Sequence, residues 1–213
     1  MEHWWPKVPV LTRVLARSSA RWCCPSQGML KLNCDAVVGD LALCIAIVAR
    51  DWEVMLVFAI SKKVSTNIPV QVEANAILLV AHIALNFSCC NCIIESDCKV
   101  CIDAIRASGK EIPWRLVNFV DSIKNVIRDF NHVYFNCVHR EANLAAHVLA
   151  NWSLSQSFFG SFDMGFGPPS FVDVILDEAV QVFRFCFGLT FILANLTHKL
   201  YIPAESTFLL VSR

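Results

Sequence analysis

Leu30-Lys-Leu-Asn-Cys-Asp35 alternates apolar and polar side chains, the period of a strand buried on one face, and it ends on a carboxylate. Two further acids stand in comparable settings. Glu73 opens the helical run Glu73-Ala-Asn-Ala-Ile-Leu-Leu-Val, and Asp97 ends the strand-like Cys92-Ile-Ile-Glu-Ser-Asp97. The order strand acid, helix acid, strand acid suits one edge of a mixed sheet. Carboxylates brought together there need cations between them, because like charges at short range oppose ionisation. Taken singly, an Asp at a strand end or a Glu in a helix's first turn is more often a cap or a solvated charge.

Working outward, Pro25-Ser-Gln-Gly28 is turn chemistry. Strand-like runs at 30–36, 42–49 and 53–60, parted by Gly39-Asp40 and Asp51-Trp52, predict an antiparallel meander. Pro69 starts a helix reaching about Asn86, with Ala74, Ile77, Leu78, Ala81 and Leu85 at helical spacing. A strand at 92–96, helices at 97–107 and 114–129, a strand at 132–138 and a helix at 142–155 complete the pattern. The expected class is α/β, a five-stranded mixed sheet with helices on both faces. Residues 1–24, with Pro6 and Pro9, form a leader of uncertain order, and residues 25–178 form the domain. Gly160, Gly165, Gly167, Pro168 and Pro169 read as loop, and 179–213 is an apolar tail without amphipathic period.

The chain has 213 residues, 56% of them hydrophobic, enough for one domain with a full core. Its formal net charge of +0 hides a gradient. Residues 32–178 carry ten Lys and Arg against sixteen Asp and Glu, a net of −6. An acidic centre argues against strong cation-free binding to a polyanion. Arg13, Arg17 and Arg21 interrupt any signal-peptide core, so a reducing compartment, nuclear or cytoplasmic, is expected for the eleven Cys. Cys98 and Cys101 make a Cys-x-x-Cys, read as small hydrophobes on a helix face rather than as zinc ligands. Phe185 to Leu196 is too short an apolar run to cross a bilayer.

The longer motifs resemble the ribonuclease H family, specifically the retroelement-derived domains common in plant genomes. Trp22 through Asp35 resembles its opening segment of Trp, Pro, Gly and Lys-Leu-Asn-x-Asp, and Val48-Ala-Arg-Asp51 its second-strand signature. Val72-Glu-Ala-Asn-Ala76 resembles the helix acid and Ile94-Glu-Ser-Asp97 the third acid. Phe135 to Ala150, holding Arg140, Asn143 and His147, resembles the last strand and helix. The resemblance covers about residues 22–178 and implies the ribonuclease H-like fold and a catalytic set of Asp35, Glu73, Asp97 and His147.

It also implies metal-dependent endonucleolytic hydrolysis of the RNA strand of RNA–DNA hybrids by a monomer. Two magnesium ions roughly 4 Å apart activate the water, stabilise the leaving oxygen and neutralise the phosphate. The resemblance implies Asp35, Glu73 and Asp97 as the metal ligands, with manganese as an alternative cation. His139, Arg140 and Asn143 are implied as nucleic-acid contacts, although Arg140 also reads as a surface pair with Glu141. Established nucleases of the family carry an acid at the position of His147. An imidazole there is either a proton carrier or phosphate contact, or a structural cap of the last helix. Ala36 and Glu53 stand where the family usually has Gly. The alternatives to an active nuclease are a catalytically silent nucleic-acid-binding or interaction domain and a retroelement relic.

Overall fold

In the computed structural model the described residues are 20–39, 42–65, 68–89, 91–107 and 112–186. The leader's first nineteen residues and the tail beyond 186 lie outside them. The sheet has the order β5-β4-β1-β2-β3-β6. Its strands are β1 (Leu30–Val38), β2 (Leu43–Arg50), β3 (Leu56–Val64), β4 (Asn91–Ser96), β5 (His132–Cys137) and β6 (Gly160–Phe162). The first three form the expected antiparallel meander, and β4 and β5 add in parallel on the β1 side. Helices α1 (Pro69–Asn86), α2 (Lys99–Arg106) and α3 (Val117–Val126) cover one face; α4 (Leu144–Gln156) and α5 (Pro169–Cys186) cover the other.

Strand alternation explains the layers. Leu30, Leu32 and Cys34 of β1 enter the core beneath α1 to α3, with Ile45, Ile47 and Ala49 of β2 and Ile77, Val80 and Ala81 of α1. Cys44, Ala46 and Val48 point the other way, against Ala145, Ala146 and Leu149 of α4 and Phe171 and Ile175 of α5. Because β2 is buried on both faces it reads as an unbroken apolar run, as central strands do.

Three local expectations are corrected. A sixth strand, β6, pairs with β3 where a loop was read, because three residues containing a Gly carry too little alternation to be seen. Strand β3 begins at Leu56 rather than 53, since Asp51 Oδ1 accepts the backbone N–H groups of Glu53 and Met55 and closes a tight turn first. In that turn Val54 sits in the left-handed region (φ 69). A β-branched side chain disfavours this region, so packing must hold it; Val54 is buried with Trp22, Ala179 and Val182. Helix α5 starts at Pro169, continues past 178 to Cys186, and buries Val182 in the same cluster.

Candidate metal centre

The register of the parallel pair sets two of the acids side by side. Leu30 lies opposite Cys92 and Asn33 opposite Glu95, so continuing the same offset by two residues brings Asp35 level with Asp97. Asp35 is the sixth residue of β1 rather than its end, and Asp97 is the first residue beyond β4. Glu73 comes from the fifth residue of α1, one turn later than a first-turn acid, because Pro69 already occupies the helix start. Each of the three offers an oxygen within 4.8 Å of the others.

The electrostatics of this cluster are unfavourable without a cation. Burial pushes the Glu73 carboxyl up from 4.5 to about 9, with the charges of Asp35, Cys98 and Asp97 adding to the effect. Asp35 is also raised, first by burial, while its hydrogen bond with His147 opposes the shift. Glu73 Oε2 is buried without a partner. Opposite oxygens on one magnesium lie about 4 Å apart. A span of 4.8 Å therefore closes on such an ion with small side-chain movements. The donor set is all oxygen, as magnesium and manganese prefer. The residues fit the group.

Glu73 gives a pH test. Its folded value lies near 9 and its ordinary value near 4.5, so between them the folded state holds a proton that the unfolded chain releases. The stability contributed by the protonated form is fully present below pH 4.5 and is lost as pH rises towards about 9. Without divalent cations, Glu73→Gln should therefore match the parent at pH 4.5 and exceed it by several degrees in Tm at pH 9. Thermal unfolding across pH checks this; a constant difference would show that Glu73 is not strained by its neighbours.

His147 lies on α4 beside the same carboxylates. Its Nδ1 is 2.7 Å from Asp35 Oδ2. An ionised carboxylate only accepts, so Nδ1 donates this bond. Arg140 Nη2 lies 3.0 Å from both ring nitrogens and Asn151 Nδ2 2.9 Å from Nε2, which, with Nδ1 donating to Asp35, is the nitrogen left to accept. His147 thus touches the carboxylate cluster through Asp35. Arg140 is exposed and turned onto the imidazole, and His139 is exposed next to it. Asn143 is buried, 1% exposed, and donates to the Cys34 carbonyl at 2.9 Å. Its amide thus ties the start of α4 to the strand that carries Asp35.

Sequence reasoning missed Asn151, although its spacing of four from His147 puts both on one helix face. It also missed a buried polar network beside the acids. Asn33 accepts from Trp22 Nε1 at 2.8 Å and donates to Glu95 at 3.2 Å, Lys31 pairs with Glu95 at 2.9 Å, and Arg50 pairs with Glu178. Arg50 also stacks on the Trp22 ring, 3.7 Å from its centroid. Three alternate residues of β1, Lys31, Asn33 and Asp35, are consequently polar and buried. Among the described residues no helix is long and apolar enough to cross a membrane.

A family model described as reverse transcriptase-like matches residues 33–153, more than half of the chain. None of the curated proteins compared matches significantly. Among solved structures, the chain is similar to RNase H1 from the halophilic archaeon Halobacterium salinarum, with a TM-score of 0.56 and 15% identity over 60% of this chain and 98% of that one. The N-terminal RNase H domain of a Mycobacterium tuberculosis protein, solved as a maltose-binding-protein fusion, has a TM-score of 0.55 and 12% identity, over 61% and 95% of the two chains. LC11-RNase H1, from a compost metagenome and solved with an RNA/DNA hybrid, has a TM-score of 0.51 and 13% identity, over 61% and 97%. At these identities the likeness is one of fold.

Proposed function

This chain belongs to the reverse transcriptase-like family, with a ribonuclease H-like fold, and from that premise we propose that it hydrolyses the RNA strand of RNA–DNA hybrids with divalent cations. The observation that carries the reading is the convergence of Asp35, Glu73 and Asp97 from a strand, a helix and a second strand. Asp35, Glu73 and Asp97 would hold the cations. When bound, magnesium supplies a water acidified towards neutrality and charge neutralisation at the phosphate.

The chain's own residues supply the rest. Asp35 is the most buried of the three acids. His147 holds a proton at Nδ1 against Asp35 and presents Nε2, so it can take a proton from the phosphate side once Arg140 turns outward. Arg140 is then free to pair with a phosphate, for which its fork geometry is suited, with His139 exposed beside it. Asn143 fixes the position of β1 and is a support rather than a surface contact. Hybrid recognition by backbone shape and 2′-hydroxyls predicts cleavage with little sequence preference. The experiment is magnesium-dependent cleavage of an end-labelled hybrid, beside single-stranded RNA and duplex DNA. Hybrid cleavage that stops on chelation supports the reading; binding without cleavage supports a silent hybrid-binding domain.

That second reading has one observation of its own, the imidazole occupying an oxygen of Asp35. His147→Asp separates the two. A carboxylate there adds a hard ligand and removes a competitor for Asp35, so magnesium affinity and hybrid cleavage should each rise, by roughly tenfold. The cation-free variant should be less stable, since a fourth acid joins the cluster. Magnesium titration followed by thermal shift, with cleavage in parallel, reads both. Unchanged affinity in a folded variant would remove His147 from the site.

A further inference from the structure

Cys98 follows Asp97 directly and caps α2, with its carbonyl accepting the first helical bond from Ile102 N–H at 3.2 Å and its own N–H bound to Ser96 Oγ at 3.1 Å. One turn on, Cys101 is buried, 1% exposed, and its thiol donates to the Val70 carbonyl at 3.5 Å. Val70 is the second residue of α1, the helix that carries Glu73. Cys98 is half-buried, with a route to solvent that Cys101 lacks. Neither Cys98 nor Cys101 is in a disulfide. No thiol joins the carboxylates in a ligand cluster among the described residues, so the pair does not read as a soft-metal site.

This is the arrangement of an attacking and a resolving thiol. A Cys-x-x-Cys at a helix start brings the two Cβ atoms near the separation a disulfide needs, and backbone amides face the first sulfur. We propose that Cys98 and Cys101 form a reversible disulfide that weakens the carboxylate site, with a small-molecule disulfide such as glutathione disulfide as oxidant. Cys98 sulfur attacks one sulfur of the oxidant, the S–S bond breaks, and one glutathione leaves as its thiol. Cys101 sulfur then attacks Cys98 sulfur in the mixed disulfide, releasing the second glutathione thiol. The protein loses two hydrogens and two electrons, and one oxidant molecule becomes two thiols.

The bond draws the first turn of α2 onto its cap and withdraws Cys101 from Val70. Two of the three elements that deliver acids are then disturbed: the turn that holds Asp97 and the start of α1, three residues before Glu73. The consequence for the cation rests on the metal reading above; the disulfide itself does not. The full chain, reduced and then exposed to excess glutathione disulfide, is quenched by alkylation and mapped by mass spectrometry, with magnesium titrated by thermal shift before and after. The Cys98–Cys101 linkage should form before any other. Cys101→Ser should accumulate glutathione on Cys98. The magnesium midpoint should rise roughly tenfold on oxidation, return on reduction, and stay put in Cys98→Ser. Oxidation elsewhere with Cys98 untouched, or the linkage with an unchanged midpoint, overturns the proposal. A reduced protein with no magnesium response counts against the metal reading instead, and the linkage map then decides the thiol pair alone.

Discussion

Asp35→Asn should reduce magnesium-dependent hybrid cleavage by at least 10²-fold, since losing one charge at the centre of the site removes several kcal/mol of electrostatic stabilisation. The residue is 2% exposed, the most buried of the three acids, and sits among Glu73, Asp97 and His147. The amide remains nearly isosteric and cannot be negatively charged. Folding should survive, and the cation-free variant should even gain stability, because burial already opposes ionisation of this carboxyl. Initial cleavage rates beside thermal unfolding check both halves. Cleavage within tenfold of the parent would remove Asp35 from the chemistry.

The second large effect is on stability. Arg50 is fully buried and Glu178 nearly so, and their ion pair joins β2 to α5. Removing one partner of such a pair strands a buried charge and costs about 3–5 kcal/mol. For a domain of this size that is a fall in Tm of about 10 °C. Glu178→Ala should show the full effect, because a guanidinium cannot shed its charge. Arg50→Met should be milder, since burial already favours the protonated form of Glu178. Replacing both together, Arg50→Met with Glu178→Leu, should recover much of the loss. Denaturant unfolding of the three variants tests this; singles within 1 kcal/mol of the parent would mean that α5 is only loosely held.

This pair also shows where sequence reasoning stopped. The meander, α1, and the alternation of β4, α2, β5 and α4 were legible, because each carries a long period of its own and the turns are marked by Gly, Pro and Asp. Helix α5 was not. Pro168-Pro169 looked like loop, whereas Pro169 opens the helix at a position that needs no N–H. The stripe Phe171, Ile175, Ala179 and Val182 was then split by a boundary drawn at 178. Cutting the chain after 178 would remove Ala179 and Val182 from the cluster they form with Trp22 and Val54.

The acids were legible because their local settings are distinctive. Their convergence follows from strand register, which no single segment contains. The partners of His147 were less so. Arg140 and Asn151 reach it from seven residues before and four after, and only the turn into α4 puts all three together. The network of Lys31, Asn33, Glu95 and Arg50 left no signal, because charged residues in a strand ordinarily read as its solvent face.

The most direct test of the central claim is anomalous diffraction from crystals of the full chain grown or soaked in manganese, which accepts the same oxygen ligands as magnesium. An anomalous peak bounded by Asp35, Glu73 and Asp97 is expected, absent from crystals of Asp35→Asn. Manganese bound elsewhere, or no peak between these carboxylates at saturating manganese, would contradict it.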